Sequence, residues 1–257
     1  MGKKREKLME TIIDLQTKEI ERLKGEPVIE THSPYVNRLG GTEWATAPTC
    51  TLIDLLNEHY EGKLSIYDYW EIGDERKIEL GGEIGQTIQM VLTDKKTNEL
   101  VNGVMCAFSV DQKNCLEDIE LPMNDEDTNE NGWDGCKMRK WLTDVYANAF
   151  PNDYRKLFKR FVTEPGVVDL FALRSEMELF GKNIYSFSDG GRQIEYYKKT
   201  RNRVKLNGSD DSGSANYWWE RSPCSGNSTL FCGVISDGSA DRFNASSASG
   251  LAPFGCI

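Results

Sequence analysis

Two histidines, seven cysteines and one acidic stretch are the residues whose types and spacing could do chemistry. Nucleophilic catalysis needs a nucleophile, a base beside it and a group that orients the base. His32 and His59 sit in no such arrangement: His59 falls late on an amphipathic helix and His32 in a loop, so both read as structural or surface residues. Cysteines 50, 106, 115, 136, 224, 232 and 256 are odd in number and include no C-x-x-C, which argues against a zinc site or a disulfide framework. Asp127-x-Asn129-x-Asn131-Gly132 has the rhythm of the first half of a calcium loop, with Asp125, Asp127 and Asp134 as the candidate carboxylates. Met138 stands where the closing carboxylate belongs, so a solvated Asn/Asp turn ahead of a helix is the preferred reading. No G-x-G-x-x-G follows a strand. Nothing in this set argues for an enzyme, and no cofactor is expected.

Beside these absences stands a break in composition. Lys, Glu, Gln, Met and Trp occur 18, 23, 5, 7 and 6 times, and every one lies at or before Glu220. In proportion, the last 37 residues should hold about ten of them, and they hold none. A Gly/Ser-rich loop explains part of the loss, but in so charged a chain it would keep some Lys or Glu. Randomising the first two bases of an Asn codon of the form AAY explains all of it, because the fifteen amino acids so encoded exclude those five. Residues 222–249 are therefore expected to be a diversified segment. Its varied side chains, Cys224, Thr229, Leu230, Gly233, Ile235, Ser236, Asp237, Ser239, Asp241, Arg242, Phe243, Asn244 and Ser247, form a candidate ligand-binding set. Tyr217, Trp218, Trp219 and Arg221 stand beside it as its scaffold. Leu, Ile, Phe and Arg side chains on loops next to aromatics suit the gripping of a partner. Phe231 and Val234 read as ordinary buried strand residues.

The elements that must position these residues are mixed. The chain has 257 residues and a net charge of −10, enough length for a sizeable core and a balance that argues against nucleic acid or an anionic membrane surface as partner. No apolar run reaches the roughly 18 residues of a membrane span, and Met1 to Lys7 is charged with no apolar stretch after it, so neither membrane insertion nor a signal peptide is expected. Met9, Ile13, Gln16, Ile20 and Leu23 predict an N-terminal helix over 3–24, stopped by Gly25 and Pro27. It either docks on its own domain or forms a short coiled coil that makes a homo-oligomer or ties the protein to a partner. A helix over 51–60 follows, then strands within 70–80, 84–93 and 101–110 that suit an antiparallel meander. Two helices over 137–150 and 152–162, split by Pro151, and a strand over 170–173 come next. Ser175-Glu-Met-Glu178 is a capping box for a short helix closed by Gly181. Beyond it, short aromatic-bearing stretches at 184–187, 217–219 and 230–235 alternate with turn residues, which gives an α+β domain ending in short strands and long loops.

Several motifs, taken in order, carry a family resemblance. They are Trp70-Glu-Ile-Gly-Asp74, the N-G-W-x-G-x-x-M-R-x-W-L run from Asn131 to Leu142, Leu173 to Gly181, Y-W-W-x-R-S-P from Tyr217 to Pro223, and G-x-A-P-x-x-C-I from Gly250 to Ile257. From about Trp44 onward the chain resembles an uncharacterised domain family common in gut bacteria and their phages. Phe254-Gly255 departs from that pattern, in which a small residue precedes the Phe. Members are similar to the C-type lectin fold, and some are variable proteins of diversity-generating retroelements, whose reverse transcriptase rewrites Asn codons near the end of the gene. The resemblance implies a C-type lectin-like (formylglycine-generating-enzyme-like) α+β domain over 28–257, with the N-terminal helix in 1–27. It also implies that Trp218, Trp219, Pro223, Phe231, Val234, Ala245, Gly250, Ala252 and Pro253 are framework, with the varied positions between them exposed.

The expected function is non-enzymatic: a phage- or prophage-encoded protein, made in the bacterial cytoplasm and carried on a tail or virion, that recognises a protein or glycan on a bacterial surface. Two alternatives stand beside it. One is a structural virion or surface subunit with fixed contacts. The other is an enzyme of the formylglycine-generating fold, which uses a close cysteine pair near the C-terminus; the spacings of Cys224, Cys232 and Cys256, 8 and 24, do not suit that site. The sugar-binding calcium motifs of the fold are also missing, so any glycan recognition would be calcium-independent.

Overall fold

The computed structural model describes residues 41–188, 190–209 and 211–257. The helix expected over 3–24, His32 and the 27/28 boundary lie outside them. The described residues divide into two compact units, one ending at Glu71 and the other spanning Ile72–Ile257.

In the first unit, Pro48 precedes helix α1 (Thr49–Tyr60), which buries Leu52, Leu55 and Leu56. Trp44 and Trp70 meet edge to face at 5.4 Å, and the Trp70 indole N–H donates to Thr42 O at 2.8 Å. His59 is structural, as expected: its Nδ1 lies 3.4 Å from both Leu64 O and Ile66 N, and its ring packs on Tyr67.

The second unit opens with β1 (Glu75–Glu79), β2 (Thr87–Lys95) and β3 (Phe108–Gln112), the expected antiparallel meander. Strand β1 alternates, burying Arg76 and Ile78, whereas β3 is buried on both faces. Helix α2 (Lys137–Trp141) runs through a π turn (Leu142–Tyr146) into α3 (Ala147–Ala149). After Pro151 the helix expected over 152–162 is only α4 (Asn152–Arg155). Tertiary pairing overrides helical periodicity there: Phe158 and Phe150 pack on Phe171, Lys159 N donates to Cys256 O, and β4 (Phe161–Glu164) turns at Gly166 into β5 (Val167–Asp169). Strand β6 (Phe171–Ala172) leads to helix α5 (Glu176–Phe180), which has the predicted capping box at Ser175 and a left-handed Gly181 at its end (φ 71°).

After α5 the described residues hold two 3₁₀ turns, Glu195–Lys198 and Thr200–Arg203, and short strands: β7 (Lys205–Leu206), β8 (Ala215–Asn216), β9 (Trp218–Pro223), β10 (Leu230–Val234), β11 (Ala240–Asn244) and β12 (Phe254–Cys256). The sheets are antiparallel. One has five strands in the order β1-β2-β3-β12-β6, another three in the order β11-β10-β9, and two pairs, β4-β5 and β7-β8, complete the set. The described residues thus form a mixed fold of mostly antiparallel strands with few helices.

One buried ionic network joins the two larger sheets. Arg174, wholly buried, forks onto Asp111 of β3 (Nε–Oδ2 2.9 Å, Nη2–Oδ1 2.6 Å) and reaches Glu178 of α5 at 3.3 Å. Asp111 also accepts from the Tyr197 hydroxyl at 2.7 Å and from Thr93 of β2. Glu178 accepts in turn from Arg221 of β9, whose Nη1 also donates to Leu173 O at 2.8 Å. Burial works against the Arg174 charge, and Asp111 overrides it and holds the guanidinium protonated. Every partner in this set is charged or hydrogen-bonded, which is the condition for burying it.

Candidate functional site

The segment 222–249 folds as a hairpin on a rigid base. Trp218 and Trp219 are fully buried, and their indole N–H groups donate to Arg203 O (3.0 Å) and Leu121 O (2.7 Å). Strand β10 lies on β9 with a bulge between Phe231 and Gly233, and pairs with β11 in register. Of the framework positions, Trp218, Trp219, Phe231, Val234, Ala245, Gly250, Ala252 and Pro253 are buried, and Pro223 is half-buried. Of the varied positions, Asp237, Ser239, Arg242, Asn244 and Ser247 are exposed, and Thr229, Leu230, Ile235, Ser236, Asp241 and Phe243 are half-buried.

Cys224 and Gly233 differ from this expectation: both are buried and offer no side chain to a ligand. A Cβ on Gly233 would stand 2.3 Å from the Phe243 ring and 2.9 Å from Trp218 O, so Phe243 occupies the space a side chain would need. Cys224 Sγ instead lies 4.0 Å from Cys232 Sγ. The spacing of 8 therefore does not keep these thiols apart, because the turn between β9 and β10 folds one onto the other. They are nonetheless buried at 2% and 0% exposure.

The varied residues do not all share one face. Cross-strand partners in a sheet lie on the same side, so Arg242, opposite Cys232, is on the other side from Phe243, opposite Phe231. On one side Phe243 stacks on Tyr217 (5.8 Å, 11° between planes) and meets Trp219 edge-on at 5.4 Å. Tyr217, 49% exposed, is the open wall of a groove of about 450 Å³ lined also by Phe243, Asn244, Ser247, Asn216 and Glu120. On the other side the Arg242 guanidinium lies 4.7 Å over the Tyr185 ring. Ile235 to Ser239 make the connecting turn: Ile235 N donates to Ser239 O, Gly238 takes φ 83°, and the Ser239 N–H holds the Asp237 carboxyl below its usual range.

The acidic stretch does not bring its three candidate carboxylates together. Its three candidate carboxylates go to separate partners: Asp125 to Lys137, Asp134 to Arg139, and Asp127 to the Ser246 N–H and hydroxyl (3.0 and 2.6 Å). Nor is it a solvated turn throughout, since Asn129 is 7% exposed. Asn129 Nδ2 donates to Asn227 O (2.9 Å) and Leu230 O (2.6 Å), and its N–H to Ser228 O (2.6 Å). The stretch is thus the floor under loops 224–230 and 245–248. Sequence reasoning saw the motif but missed this role, as it missed Tyr185, Asn216 and Glu120, which carry no local signal.

A larger cleft of about 750 Å³ lies along α2, with Arg139, Lys140, Asp144 and Asp169 in its wall. Several of its charges are matched within the chain, Arg139 with Asp169 and Asp134 and Lys140 with Asp144, whereas Arg155 and Arg160 in its wall have no carboxylate partner among the described residues. It includes none of the varied positions.

No curated protein and no solved structure matches the chain. The model of a domain of unknown function, DUF6273, matches residues 110–257, a span that takes in the floor, the base and the whole hairpin. The chain belongs to the DUF6273 family.

Proposed function

We propose that this is a non-enzymatic binding protein of the C-type lectin-like fold whose hairpin 222–249 is diversified by a retroelement, and that it is phage- or prophage-encoded and recognises a protein or glycan on a bacterial surface. The observation that carries the reading is the loss of Lys, Glu, Gln, Met and Trp after Glu220. The exposure pattern supports it: the varied positions other than Cys224 and Gly233 reach solvent, while the framework around them, half-buried Pro223 aside, is buried. A preformed groove loses little loop entropy on binding, so a few side chains such as Tyr217, Phe243 and Arg242 suffice for useful affinity. The two faces of the hairpin then belong to different parts of one contact, an aromatic groove on one side and Arg242 on Tyr185 on the other.

Two measurements test the reading. The gene's downstream sequence is expected to hold a near-identical repeat with adenines at the varied codons, and a reverse transcriptase; finding neither sinks the diversification claim. Separately, the full chain is expected to bind cells of a host strain or their isolated surface glycans and proteins. The triple replacement Tyr217→Ser, Arg242→Ser, Asn244→Ala should lower that binding at least tenfold, the scale of hot-spot truncation. Unchanged binding would move the site elsewhere.

A further inference from the structure

The sequence has no C-x-x-C pair, but the fold draws candidate metal ligands from three separate elements. Glu176 is the first residue of α5, Glu220 lies within β9 and Cys232 within β10. A carboxylate oxygen of each glutamate and the Cys232 sulfur all lie within 4.8 Å of one another, and all three residues are buried. We propose that Glu176, Glu220 and Cys232 hold one divalent transition-metal ion, Zn²⁺ by its ligand chemistry, beneath the hairpin.

Three features favour an ion here. The first is the donor set itself. Two carboxylates and a thiol, on residues that are all fully buried, converge from three separate elements, and mixed oxygen and sulfur donors are what a divalent transition metal takes.

The second is the support around Glu176. Its Oε2 accepts from Ile184 N (2.7 Å), Ser186 N (2.9 Å) and the Ser186 hydroxyl (2.8 Å), while Oε1 takes only Tyr185 N, shared with Oε2 at 3.0 Å from each. One oxygen is anchored and the other keeps a lone pair for a metal, as outer-sphere hydrogen bonds do for ligating carboxylates.

The third is the second thiol. Two thiolates on a tetrahedral zinc, with Zn–S bonds of about 2.3 Å, are separated by about 3.8 Å. Cys224 Sγ stands 4.0 Å from Cys232 Sγ but outside the set whose donor atoms all lie within 4.8 Å of one another, so it would have to move toward the glutamates to complete a tetrahedron. Mixed sulfur and oxygen donors in a buried set suit a structural Zn²⁺, whose binding releases the thiol protons to solvent. The ion would tie α5 to β9 and β10 and so fix the base of the hairpin. The site stands whether or not the hairpin is diversified.

The experiment uses the full chain, purified reduced and free of chelator. Metal analysis is expected to give about one Zn²⁺ per chain, the closed-site stoichiometry. Refolding with Co²⁺ in place of zinc is expected to give the near-ultraviolet thiolate-to-cobalt absorption and the visible bands of a tetrahedral ion. Cys232→Ser should cut the absorption and Cys232→Ser with Cys224→Ser abolish it, whereas Cys115→Ser, which removes a buried thiol elsewhere, should leave it intact. Glu220→Gln, close to isosteric, serves if Cys232→Ser does not fold, and should weaken Co²⁺ binding by about 10- to 100-fold. Wild-type chain that carries no zinc and shows no thiolate band with Co²⁺ overturns the proposal; so does a band that Cys232→Ser leaves unchanged.

Discussion

At the scale of single residues, Arg174 shares its charge among three elements, β3, β2 and α5. Its guanidinium sits 3.5 Å from the Phe254 ring centroid while forking onto Asp111. Replacing it with Met leaves Asp111 buried without its counter-charge, and the expected loss is about 3–5 kcal/mol in urea unfolding. Adding Asp111→Asn should recover part of that loss, since the uncompensated charge goes with it. Lys205 gives a pH signature instead. Its ammonium donates to Gln112 O (2.7 Å) and Lys113 O (2.9 Å), and burial pushes its pKa down to about 8, with Asp111 opposing. Below that pH the folded and unfolded chains both carry the proton, and the folded state bears the cost of a buried charge. Between about 8 and 10.5 only the unfolded chain keeps it, so stability contributed by this site rises with pH across that window. Buried thiols oppose this above their ordinary range, Cys115 and Cys136 being pushed up to about 12 by burial. The test is therefore a difference: unfolding free energy of wild type relative to Lys205→Met should climb between pH 8 and 10.5, and a flat difference would mean that Lys205 is not perturbed.

Elements were legible where their signal is local. The Ser175 capping box, the Gly181 stop, the meander and the β10 stretch could all be read from neighbouring residues, because caps, turns and strand alternation are set within a few positions. What could not be read depends on partners far along the chain. The helix expected to run to 162 stops at Arg155 because Phe158 and Phe161 have better partners in Phe171 and Phe254. Asp127 and Asn129 were visible as a motif, but their targets lie about a hundred residues on. Glu176, Glu220 and Cys232 give no pattern along the sequence at all. Gly233 shows how tightly the hairpin is specified. Gly233→Ala must displace the Phe243 ring from Tyr217, at an expected cost of about 1–3 kcal/mol in thermal or urea unfolding. In a Phe243→Ala background the same change should cost less, the remainder coming from the contact with Trp218 O at 2.9 Å; an undiminished cost there would place the whole clash at that backbone oxygen.

For the molecule as a whole, the exposed charge and the buried charge should respond differently to salt. The net charge of −10 is mostly self-repelling surface, which added salt screens, so raising ionic strength from low to physiological levels should raise the melting temperature. The loss caused by Arg174→Met should stay the same over that range, since a pair sealed from solvent is screened far less. A salt-sensitive loss would show that water reaches the network.

The position of β12 has a consequence for how the protein is made. Residues 254–256 lie between β3 and β6 in the five-stranded sheet, yet they are translated after the whole of 222–249. Until they emerge from the ribosome, β3 and β6 lack their shared neighbour. A copy whose reading frame slips anywhere in the hairpin is expected never to acquire it and to leave both strands unpaired on that side. Completion of the sheet would thus make folding depend on a message read in frame through residues 222–249.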